Sequence, residues 1–372
     1  MEEPVPKQDA VFTQGDSWEQ QPNRALRSVI AAVVLILFGL TAALVILSFP
    51  LGVYTVFFTH LSNSTATTAG YPFLWVGPVA IVLPIPVTFG AAFLAVVAVY
   101  AGMFVLAAYQ GKSLPSAIVS GLKNGYQDFL SNRALLTLVS IGFLVFTAAV
   151  IDEIVTAAGP PIGNPFTGGD DLLTFLQLTL APLREEFGFR VLIIGVATAV
   201  VTLPRPEIAA RKTIESVLRT LWRPSAAYES LDSGSNTLVL VVIWAAGALS
   251  AVTFGACHVA CGGGGWQLGK LPEAVYGGVV LAYLYIRYGF HVAVLAHWGI
   301  DYLPSVFAFF GQGAYGIPWD SSPGYVLQQI VSSDLFGIFG LASVLMILHV
   351  AYTKRWGRRR ESVAEEHSSI AV

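Results

Sequence analysis

A chain of 372 residues that is 55% hydrophobic and only 12% charged, with mean hydropathy +0.67, does not have the composition of a soluble domain, where about a quarter of residues carry charge. The formal net charge of -3 gives no reason to expect a nucleic-acid partner, and the basic residues are spread along the chain rather than pooled in one stretch. What remains is an all-α, polytopic transmembrane helix bundle embedded in a lipid bilayer.

Residues 1–27 are polar and mixed in charge, with no apolar periodicity, and read as a disordered tail. Ser28 to Pro50 is too long for a signal-peptide core and reads as a retained first span. Phe73 to Tyr109 is longer than one span needs and contains Pro78, Pro84 and Pro86; its first part is expected to be a broken or interfacial segment, with Val87 to Tyr109 as span two. Gly111 to Arg133 looks like an amphipathic connection. Further spans follow at Ala134 to Ile151, Leu172 to Leu203, Thr237 to Ala260, Leu271 to Ile286, Phe290 to Phe310 and about Leu335 to Tyr352. The map is therefore a helical domain over 28–353 and a basic tail over 354–372.

Charge tests this map. Every Lys and Arg except Arg184, Arg190 and Lys270 falls in a segment that eight spans place on one side, and the positive-inside rule makes that side, with both termini, cytoplasmic.

The fourth span is the anomaly. It carries Arg184, Glu185, Glu186 and Arg190 in an apolar run, where each charge near the bilayer centre costs about 2.5 to 3.5 kcal/mol. On a helix Glu186 and Arg190 share a face and can neutralise one another, whereas Glu185 lies about 100° round with no partner on its own helix. A carboxylate so placed is available to take a proton from water. The same four residues equally suit a buried ion network that fixes helix packing.

Two later spans add hydrolytic residue types. The fifth ends Phe254-Gly255-Ala256-Cys257-His258, and the seventh carries His297 and Asp301 one helical turn apart. Cys257 and Cys261 flank His258, and small apolar packing is their expected role over zinc binding or a disulfide. Glu185 lies well inside span four while His258 lies near the end of span five, so a shared site requires span five to be longer, tilted or shifted.

Glu185-Glu186-x-x-x-Arg190, Phe254-x-x-x-His258 and His297-x-x-x-Asp301, in this order on separate spans, resemble the motifs of the CPBP intramembrane protease family, which includes the type II CAAX prenyl proteases and bacteriocin-processing relatives. The resemblance covers about residues 130–312. It implies an intramembrane endopeptidase in which Glu185 activates water, His258 and His297 are catalytic, Asp301 stands at the oxyanion-stabilising position, and Glu186, Arg190 and Phe254 support them. Many members have Asn where this chain has Asp301, and a carboxylate can donate to an oxyanion only when protonated. Two chemistries stay open. In one, His258, His297 and Asp301 hold a divalent metal, zinc being the expected ion. In the other, Glu185 and the histidines act without metal and Asp301 orients His297. The expected partner is a membrane-associated protein or peptide substrate, which the resemblance allows to be prenylated. The rival readings are a transporter or proton-relay protein, since buried Glu, His and Asp also build ion pathways, and a non-catalytic peptide-binding scaffold.

Overall fold

The computed structural model describes residues 21–62, 67–163, 170–205, 213–229, 236–261, 265–316, 335 and 337–352. The expected basic tail, 354–372, and residues 1–20 of the expected N-terminal tail lie outside them.

Helix α1 (Gln21–Phe58) carries the first span past Pro50, which sits inside it. Four short strands follow: β1 (Ala69–Gly70), β2 (Phe73–Val76), β3 (Val79–Val82) and β4 (Val87–Thr88). β1 pairs antiparallel with β4, and β2 pairs antiparallel with β3 from Phe73 opposite Val82 to Val76 opposite Val79. The segment expected to be broken or interfacial is thus a β-hairpin. Gly77, at φ +56, opens its tight turn, and the β-branched Val76, Val79, Ile81 and Val82 suit its strands.

Thr88 caps α2 (Phe89–Tyr109) by accepting from the Ala91 N–H at 3.3 Å. The amphipathic connection forms α3 (Leu114–Asn124) and a 3-10 turn over Tyr126–Ser131. Asn132 then joins two spans: its Oδ1 accepts from the Ala134 and Leu135 N–H groups, starting α4 (Arg133–Ala158), while its Nδ2 donates at 2.9 Å to the carbonyls of Ala108, in the last turn of α2, and of Lys112 beyond it. Asp170 caps α5 (Asp171–Glu185), which runs without interruption through a π-helical stretch, Glu186–Gly195, into α6 (Val196–Thr202). Short helices α7 (Thr213–Trp222) and α8 (Ser225–Tyr228) follow. They lead to α9 (Asn236–Ala260), α10 (Leu271–Tyr288), α11 (Phe290–Tyr315) and α12 (Gly337–Tyr352).

Each of the eight expected spans contains a helix, although Val87 and Thr88, expected to open span two, form β4 and that helix starts at Phe89. Five of these helices, α1 from Ser28, α2, α4, α9 and α11, are long and apolar enough to cross a membrane. The α5–α6 rod carries the four charges, and α12 is shorter. The chain is an integral membrane protein built as a helical bundle.

Helix α11 is the axis of the bundle, packed against α1, α2, α4, α5 and α10. Its Trp298 and Tyr302 are fully buried and stack at 4.9 Å, and the Tyr302 hydroxyl donates to the Ser48 carbonyl of α1 at 2.9 Å. Large aromatics supply much of the packing at such a centre, and here the polar tip of Tyr302 is satisfied whereas the Nε1 of Trp298 is buried without a partner among the described residues. The helix that carries His297 and Asp301 is the most deeply buried of the five helices long and apolar enough to cross a membrane among the described residues.

Candidate functional site

The π-helical stretch places the charges of the fourth span. Glu186 and Arg190 are fully buried and make an ion pair, Arg190 Nε to Glu186 Oε2 at 3.2 Å, without hydrogen-bond alignment. Arg190 is also held by α9. Its Nη1 donates to Ser250 Oγ at 3.3 Å, Ser250 in turn donates to the Phe189 carbonyl at 2.8 Å, and the guanidinium lies 4.4 Å from the centre of the Phe254 ring. The pairing expected from the sequence is present, and Ser250 and Phe254 complete it.

Glu186 has a second partner that the sequence did not disclose. The Nδ1 of His297 lies 2.9 Å from Glu186 Oε1. An ionised carboxylate only accepts, so Nδ1 carries a hydrogen and Nε2 is turned away from Glu186. That nitrogen lies 3.4 Å from Asp301 Oδ2 and 3.8 Å from Glu185 Oε2. The expectation that Asp301 orients His297 is modified accordingly: Glu186 fixes one side of the imidazole, and Asp301 flanks the other.

His258 is fixed by its own helix. Its Nδ1 donates to the Phe254 carbonyl at 2.9 Å, which leaves Nε2 as its free ring nitrogen. Phe254 touches both imidazoles edge-on, with ring centres 4.7 Å from His258 and 5.6 Å from His297. The supporting role assigned to Phe254 is thus a wedge between the two histidines and Arg190.

These groups open on one cavity of about 340 Å³, whose wall includes Glu185, His258, His297 and Asp301. The mismatch in depth between Glu185 and His258 disappears because both reach the same space. Cys257 and Cys261 also line it, and they are joined as a disulfide rather than packed as separate thiols, the role expected for them. The rim includes Trp266, Lys270 and Glu273; Lys270 pairs with Glu273 and lies 4.1 Å from the centre of the Trp266 ring.

The β-hairpin forms another wall. Phe73 and Trp75, alternate residues of β2, face the cavity, and the Gly77 N–H donates to the Gly188 carbonyl at 3.4 Å. Any side chain at position 188 would overlap the Trp75 backbone, so glycine is what lets a strand lie against the π-helical stretch. These contacts were not legible beforehand, because nothing in a single chain links the segment at 73–82 to a helix so far downstream.

Among the described residues, no three His, Cys, Asp or Glu side chains converge so as to hold a metal ion. His258, His297 and Asp301 share a cavity but do not form a ready coordination cage.

Residues 170–303 match the family described as type II CAAX prenyl endopeptidase, Rce1-like. The matched region is narrower than the 130–312 over which the motifs suggested a resemblance, yet it contains all three of them. No curated protein and no solved structure matches the chain.

Proposed function

Through residues 170–303 the chain belongs to the CPBP family of CAAX-type intramembrane proteases, and from that premise we propose that it is an endopeptidase that cleaves a membrane-associated protein with a water activated by Glu185. The observation that carries the reading is that Glu185, His258, His297 and Asp301, drawn from three helices, line one cavity.

Water enters between Glu185 and the imidazoles. Glu185 takes its proton, and the hydroxide attacks the scissile carbonyl. His258, whose Nδ1 is committed to the Phe254 carbonyl, accepts the second water hydrogen at Nε2 and aims the oxygen. His297, with a proton on each ring nitrogen, donates from Nε2 to the carbonyl oxygen as it gains charge. Glu186 and Asp301 hold that imidazole from its two sides. Glu185 then passes its proton to the leaving amine as the carbon–nitrogen bond breaks. In this scheme the carboxylate of Asp301 acts on His297 and never has to donate to the oxyanion, which removes the difficulty posed by Asp where many members have Asn.

The substrate class we propose is a prenylated protein ending in the CAAX pattern. The test is cleavage of a quenched fluorescent peptide with an S-prenylated cysteine, using purified protein in proteoliposomes. Glu185→Ala, His258→Ala and His297→Ala should each lower turnover by about a hundredfold or more. Wild-type turnover in all three would end the assignment and leave the transporter or scaffold readings. Metal analysis with chelation belongs in the same experiment. Turnover by protein free of metal supports the side-chain scheme; loss on chelation with recovery on adding zinc would replace it with one in which His258, His297 and Asp301 act as ligands.

A further inference from the structure

Arg184 has no part in the chemistry above, and its surroundings are unusual. It immediately precedes Glu185, lines the same cavity, and has one weak hydrogen bond, from Nη2 to the Gln177 carbonyl at 3.4 Å. Its Nε is buried and has no partner, and its guanidinium lies 4.3 Å from the centre of the Phe73 ring in the hairpin wall. No carboxylate of the described residues comes within ion-pair distance of it, although Arg190 is paired with Glu186 and Lys270 with Glu273.

Arg184 is half-buried, its Nε wholly so, and the planar fork of donors of such a guanidinium matches a carboxylate in two parallel hydrogen bonds. The aromatic face of Phe73 attracts the group without using those donors. Glu185 is the adjacent residue, but it stays beyond ion-pair distance and faces His297. The donors of Arg184 are therefore placed to meet an anion brought from outside.

We propose that Arg184 is the carboxylate-binding residue of the substrate site, and that its ligand is the C-terminal carboxylate of the peptide being cut. The inference rests on the protease reading and specifies its substrate further. Three residues in extended form span about 10 Å, so a bond three residues from a chain end keeps its terminal carboxylate inside a cavity of this size. A half-buried cation next to Glu185 thereby makes the enzyme measure distance from the end of the chain.

The test uses three quenched fluorescent peptides with the same S-prenylated cysteine and three following residues. One ends in a free acid, one in an amide, and one in an amide with Asp as its last residue. Wild-type protein should favour the free acid over the plain amide by about 10- to 100-fold in kcat/KM. Arg184→Gln should bring that ratio close to one, and Arg184→Lys should keep part of it. The free-acid tripeptide product should inhibit wild-type protein and its amide should not, a readout that requires no variant to fold. Equal cleavage of the Asp peptide and the free acid, dependent on Arg184, would keep the carboxylate site and assign it to a side chain. A wild-type ratio near one for both carboxylate peptides, or an Arg184→Gln ratio equal to that of wild type, overturns the inference; the latter is the result expected if Arg184 only tunes Glu185. Failure of wild-type protein to cut any of the three would instead count against the protease reading.

Discussion

Glu186 is where structure and chemistry meet in a single side chain. One of its oxygens faces Arg190 and the other holds His297, and all three groups are buried or nearly so. Removing its charge leaves the guanidinium without compensation in an apolar bundle. Glu186→Gln is accordingly expected to cost about 3 to 5 kcal/mol of stability, read as a lower midpoint for unfolding in detergent. Adding Arg190→Met should recover a good part of that loss while leaving His297 unanchored and turnover low. If Glu186→Gln unfolds like wild type, the pair does not hold the bundle. The i,i+4 relation of Glu186 and Arg190 was legible in the sequence because it is local. The bond to His297 was not, since it depends on which face of α11 turns towards the π-helical stretch.

At the level of elements, the rod that carries the charges and the hairpin beside it work as one unit. In a π-helical stretch the backbone bonds reach one residue further than in an α-helix, which widens the turn, and such stretches gather at functional sites. Here the stretch begins at Glu186, directly after the residue assigned to water activation. Gly188 lies within it and receives the hairpin. Gly188→Ala should displace Trp75 from the cavity wall and lower turnover of the prenylated peptide about tenfold or more. Gly77→Ala, which meets no neighbour but must hold φ +56, should weaken the turn itself. If Gly188→Ala leaves turnover unchanged, the hairpin is no part of the site. The hairpin was the element least legible in the sequence: Phe73 to Tyr109 is one long apolar run, and short apolar segments do not distinguish strand from helix by periodicity. The helix starts at Thr88, Asn132 and Asp170 are local by contrast, because each side-chain cap sits beside the backbone groups it satisfies.

For the whole molecule, the approximate positions of the helices followed from hydropathy, the run from Phe73 being the exception because its first part became strands. How the helices assemble did not follow. Nothing in the composition of α11 marks it as the central helix. The sequence also left Glu185 and His258 at different depths, which only tertiary packing could reconcile. The distribution of Lys and Arg makes a global prediction that packing does not. Lys123 and Gly316 are separated by five of the eight proposed spans, so they should lie on opposite sides of the membrane. Cysteines introduced singly at the two positions should react with an impermeant maleimide from opposite faces. Reaction from the same face would mean that the α5–α6 rod, α10 or another intervening helix fails to cross.

The contact between Gly77 and Gly188 also sets an order of events during synthesis. The hairpin leaves the ribosome long before the helix it rests on, and α2 and α4 enter the bilayer in between. Until Glu186–Gly195 arrives, Phe73 and Trp75 have no wall to complete. The cavity therefore cannot be complete until α9 and α11, which supply Ser250 and His297 to the charges of the fourth span, have been made. A nascent chain interrupted before α11 would hold every strand of the hairpin, and Glu185 itself, yet have no enclosed space in which to cut a peptide.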